Sequence, residues 1–186
     1  MKKLIIILLS VVMLTATGCS ISKPVAPTSS ATESKTTASK LDYEFYIDSL
    51  DFYMDSYTDA FDKETAAMEK LNQAASEELP DTTELKSAYK ACISALEDFS
   101  ELTSPEGISK EHEELMAMIE KEKRSYELLL KNLDYADKRN NLTDAEKEEL
   151  SAIQKELEEL LSYEEGEPTL WDIRNKAVNA ALEFCK

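Results

Sequence analysis

The sequence predicts an all-α protein, an antiparallel bundle of four to five helices led by a long first helix. Three observations carry this reading. Beyond residue 40 only Gly107 and Gly166 interrupt the chain as glycines. Glu, Lys, Leu and Ala dominate the same stretch, and β-branched residues are few, a composition that favours helix over strand. Apolar residues also recur at the 3.6-residue period over long runs.

The first helix has the clearest pattern. Tyr43, Tyr46, Ile47, Leu50, Tyr53, Met54, Tyr57, Phe61, Met68, Leu71, Ala75 and Leu79 hold one phase, and Pro80 closes the run. A second helix starts near Asp81 or Thr82, with Leu85, Ala88, Tyr89, Cys92, Leu96, Phe99 and Leu102 on its face. The turn Thr103-Ser104-Pro105-Glu106-Gly107 stops it. Ser109 is the expected cap of a third helix, whose early acids Glu111, Glu113 and Glu114 suit the positive end of the dipole. That helix is expected to end near Asn140-Asn141. Thr143 and Glu146 spell a capping box for a fourth, with Leu150, Ile153, Leu157, Leu160 and Leu161 along a seam. Gly166-Glu167-Pro168 breaks it, and Thr169 caps a last helix carrying Trp171, Ala177, Val178, Ala181, Leu182 and Cys185. Short links between amphipathic helices favour antiparallel neighbours.

Residues 41–186 have a length suited to one domain. They hold 16 Lys and Arg against 37 Asp and Glu, a net charge near −21. Nucleic acid and anionic headgroups are repelled by such a surface, so no nucleic-acid partner is expected. Two glycines exclude phosphate loops and dinucleotide fingerprints, which need several close together. No cofactor is implied.

The N-terminal residues read differently. Lys2 and Lys3 precede an apolar run from Leu4 to Leu14, and Thr15-Ala16-Thr17-Gly18-Cys19 follows. The run falls short of the roughly 20 residues that span a bilayer and fits the centre of a signal peptide. The small residues and the cysteine resemble the lipobox of bacterial lipoproteins, with Ala16 where that motif usually has Leu. The resemblance implies cleavage after residue 18, a diacylglyceryl group on Cys19, and a cell-membrane anchor on the extracytoplasmic face (the outer membrane in a two-membrane host). Two acyl chains satisfy the two-signal requirement for stable attachment. Residues 19–40, rich in Ser, Thr, Ala, Pro and Lys, are expected to form a disordered tether between anchor and bundle.

Chemistry-bearing residues are scarce. His112 is the one histidine, and Ser109, Leu115 and Met116 at helical spacing offer it no metal-ligating partner. Carboxylate-bridged di-iron bundles need a Glu-x-x-His on each of two helices, so no metal site and no catalytic set are expected. Cys92 and Cys185 lie on apolar stripes, and a disulfide between them and two separate core thiols stand as equal readings. Leu41, Phe45 and Phe52 fall on the face of the first helix opposite its main stripe. Burial beneath another helix, such as the last, is the favoured expectation for them, and a partner-facing patch is the alternative.

Ser104-Pro105-Glu106-Gly107-Ile108-Ser109-Lys110-Glu111-His112-Glu113-Glu114-Leu115 resembles a stretch in small helical surface lipoproteins of Gram-positive bacteria, some described as cell-wall-binding. The likeness covers about a dozen residues plus the general layout and implies the architecture more than an activity. A non-enzymatic module that binds a protein or envelope component is the first expectation. A small-ligand or cation carrier is the second, and an envelope hydrolase working through paired carboxylates the third.

Overall fold

The computed structural model describes residues 38–74, 81–138, 141–162 and 166–186. Five α-helices account for most of them: α1, Lys40–Ala74; α2, Thr83–Asp98; α3, Ser109–Lys138; α4, Asp144–Leu161; and α5, Leu170–Phe184. A 3-10 turn, Phe99–Glu101, extends α2, and there is no strand among the described residues. The protein is an all-α bundle with a long first helix. At about 1.5 Å per residue α1 runs roughly 52 Å. The expected signal peptide and Cys19 lie outside the described residues, as do Ala75, Leu79 and Pro80. No helix among those described is long and apolar enough to cross a membrane.

Helices α1 and α3 run parallel on a diagonal, with Tyr46 meeting His112 at one level and Tyr57 meeting Tyr126 at another. On one side α2 fills the groove between them, antiparallel to both. On the other side α5 packs against α1 and α3, again antiparallel. Ala177 and Ala181 face that seam and are fully buried, so the small side chains let α5 approach its neighbours closely. Ion pairs from Arg174 to Asp51 and from Lys176 to Glu114 fasten its flanks.

Helix α4 is the outlier. Among the described residues it packs chiefly on α3, burying Ile153 and Leu157 against Leu128. Arg124 grips Glu156 at 2.7 Å and Lys138 meets Glu146 at 2.7 Å along the same seam. The α3 residues that meet α4 (Arg124, Leu128) and those that meet α5 (Glu114, Lys121) fall on one helical stripe. Helices α4 and α5 therefore follow one another along α3, with a break at Gly166, whose φ of 98° suits glycine.

The helix starts show local chemistry at work. Thr143 accepts from the Glu146 amide, and Glu146 reaches back to the Thr143 amide at 2.7 Å. Thr169 and Asp172 make the same reciprocal pair at the start of α5. Two expectations shift by a residue. Ser109 is the first residue of α3 and not its cap, since the Ile108 carbonyl accepts the first helical bond from the His112 amide. Thr82 makes no side-chain cap; Asp81 accepts from the Thr83 amide at 2.9 Å, which leaves Thr82 to bind Asp137 across to α3.

Candidate functional site

Two features stand out from the packing, one inside the bundle and one outside. Inside, Tyr57 from α1, Tyr89 from α2 and Tyr126 from α3 converge, with the Tyr57 and Tyr126 hydroxyls 3.3 Å apart. Cys92 joins them, and burial pushes its thiol up to about 12. All three tyrosines are raised by the same loss of water. Glu64 is the anomaly in this layer. It is 7% exposed, it lies close enough to raise the neighbouring tyrosines, and no cation among the described residues pairs with it. Burial alone pushes its carboxyl up to about 7. Sequence reasoning passed over Glu64, yet a signal existed. It sits in the phase of the apolar stripe, between Phe61 and Met68, where an acid is out of place.

Outside, Leu41, Phe45 and Phe52 are 70%, 69% and 67% exposed. The favoured expectation of burial under another helix, such as the last, does not hold. Helix α5 does dock on this half of α1, but through Tyr43, Asp51 and Tyr57, which sit on another face. On the side of α2, Phe99 at the end of that helix packs on Tyr53, with ring centroids 5.4 Å apart. Neither helix covers the stripe. Beside it a cleft of about 190 Å³ opens between Phe45, Tyr46, Ser49 and Tyr53 of α1 and Glu101, Leu102 and Thr103. That is below the roughly 300 Å³ of ordinary small-molecule pockets and suits a single side chain better. A broader, shallow groove of about 450 Å³ lies between α3 and α5, lined by Met118, Ile173 and Lys176 among others.

Charge frames the stripe. Between Lys40 and Lys63, α1 carries seven acids and no basic residue. Asp48, Asp55 and Asp59 share the exposed face with the apolar residues, within an arc of about 80° at 100° per residue. None of these three has an ion-pair partner among the described residues.

The remaining candidates fall into structural places. Cys92 and Cys185 are both free thiols. The disulfide reading is corrected by their levels in the bundle: Cys92 lies beside Tyr57, whereas Cys185 lies beside Tyr43. Fourteen residues of helix separate those levels, about 21 Å, far beyond the roughly 7 Å Cα limit for a bond. A Cys19→Ser chain denatured without reductant should therefore titrate two thiols. The folded chain should show one fast thiol, Cys185, and one slow, Cys92, and fewer than two in the denatured chain would restore the disulfide. His112 sits half-buried in the first turn of α3 with Nδ1 3.3 Å from the Tyr46 hydroxyl, and burial lowers its pKa. No three His, Cys, Asp or Glu residues gather in metal-holding geometry among the described residues.

Comparison with protein-family models, with curated proteins and with solved structures finds no match to this chain.

Proposed function

We propose that this protein is a lipid-anchored extracytoplasmic lipoprotein that works as a non-enzymatic interaction module. The observation that carries the binding part is the uncovered stripe of Leu41, Phe45 and Phe52 on the first half of α1. Three large apolar side chains in one row cost solubility and add nothing to the core, and such patches on otherwise polar surfaces mark contact sites. The anchoring part rests on Thr15-Ala16-Thr17-Gly18-Cys19 and its likeness to a lipobox. Along the chain, Leu41 at the start of this stripe follows Cys19 by about twenty residues. A carrier is the less supported reading, because the cleft beside the stripe is small and the α3–α5 groove is shallow.

Each half has its own test. Expression of the full chain in a bacterium with a labelled fatty acid should put label on the protein, and Cys19→Ala should remove it. Label that survives Cys19→Ala would defeat the anchor. A photo-crosslinking residue at Phe52 should give discrete adducts in the cell envelope, and the same residue at Glu158 on α4 should give none. Equal adducts from both positions would defeat the interaction module.

A further inference from the structure

We infer that the exposed face of α1 docks a cationic amphipathic segment of a partner protein, which seats one apolar side chain in the cleft behind Phe45. The inference rests on the interaction-module reading and names the chemistry of its partner. Leu41, Phe45 and Phe52 give the apolar row, and the cleft between Tyr53 and Leu102 gives that row a depth. Asp48 and Asp55 stand between and beside the apolar residues on the same face, and Glu101 lies at the rim of the cleft. None of the three carboxylates has an ion-pair partner among the described residues. A partner helix with apolar residues at i, i+4 and i+7, flanked by Lys or Arg, meets both features together.

Other occupants match the surface less well. A second copy would set seven acids of α1 against the same seven, and like charges across an interface are repelled. An anionic membrane surface is disfavoured for the same reason, because its negative potential opposes a bundle with net charge near −21. A neutral apolar ligand would leave the acidic frame without a role.

The test uses the full chain and a fluorescent synthetic peptide of about 14 residues, Leu on one helical face and Lys on the other. Its counterparts replace every Lys by Glu or every Leu by Ser. Binding is read by anisotropy in three variants: Phe45→Ser with Phe52→Ser, Asp48→Lys with Asp55→Lys, and Glu148→Lys with Glu158→Lys on the exposed face of α4. The Leu/Lys peptide should bind and both counterparts should not. The Phe pair and the Asp pair should each weaken binding by about tenfold or more, the scale of losing apolar or charged anchors. The α4 pair changes net charge equally and should cost less than about twofold. The melting curve of the Phe pair should match the wild type, since neither ring is buried. Absence of peptide binding, or an equal loss in the α4 pair, would overturn the inference. So would capture of wild-type chain by phosphatidylcholine vesicles through the same two Phe residues. Failure of the peptide with crosslinking at Phe52 intact would dismiss the cationic partner and keep the module. Loss of fatty-acid labelling would touch only the anchor.

Discussion

Glu64→Gln is expected to raise stability relative to wild type by about 3 kcal/mol more at pH 8 than at pH 4.5. The carboxyl titrates near 4.5 when exposed and is pushed up to about 7 by burial. Between those values the folded state holds a proton that the unfolded chain has released. Stability from this group is therefore complete below pH 4.5 and is lost as pH climbs through about 7. About 2.5 units at 1.36 kcal/mol each gives the quoted size. Gln is neutral throughout, so its own packing cost stays constant and cancels when the two pH values are compared. The neighbours do not blur the result. Tyr57, Tyr89, Tyr126 and Cys92 are all raised and stay neutral through this interval. Paired surface acids such as Glu146, held near 2, affect both proteins alike. In a melting experiment the gap between mutant and wild type should widen by on the order of 10 °C from pH 4.5 to pH 8. A gap that does not change with pH would mean that Glu64 is solvated.

Ala177→Leu combined with Ala181→Leu should release α5. Both alanines are fully buried where α5 meets α1 and α3, and the seam has no room for three extra carbons at each position. Overpacking costs about 1–3 kcal/mol per site, so the pair should cost about 2–6 kcal/mol. A helix of 15 residues is marginal without its docking surface, so α5 should come away as a unit instead of adjusting locally. Trp171 reports the event directly. It is the one tryptophan, its ring lies 5.8 Å from Tyr57 and 6.2 Å from Phe61, and its emission should shift to the red on release. Asn179→Leu, on the exposed side of α5, serves as the control. Unchanged melting and unchanged Trp171 emission in the double variant would mean that α5 does not dock through its alanine face.

Helix release would also bear on the opposite end of the fold. Phe184 stacks on Tyr43 with ring centroids 4.6 Å apart and lies against Gly107, where the backbone takes φ 97° and a Cβ would meet the Phe184 ring at 2.9 Å. The turn before α3 is thus shaped for the last aromatic of α5. The Tyr43 hydroxyl closes the same corner by donating to the Glu106 carbonyl at 2.5 Å.

Much of the fold was legible in the sequence because it is set by interactions between residues three or four apart. Helix phase follows from apolar spacing, and the starts of α4 and α5 follow from Thr143 with Glu146 and Thr169 with Asp172, which satisfy each other within a single turn. The acidic surface and the off-phase position of Leu41, Phe45 and Phe52 also need nothing beyond the chain itself. Tertiary structure decided which grooves the helices fill. Apolar stripes on α4 and α5 look alike in sequence, yet α5 enters the α1–α3 groove and α4 rests chiefly on α3. That choice rests on how closely Ala177 and Ala181 let two backbones approach, a property of paired surfaces and not of one helix. Tertiary packing as a whole left the α1 stripe open, held Cys92 and Cys185 at different levels, and brought Glu64 close to three tyrosines contributed by three helices. Burial is a sum over neighbours distant in the chain, so the exposure of Phe45 and the proton on Glu64 exist only once those neighbours are in place.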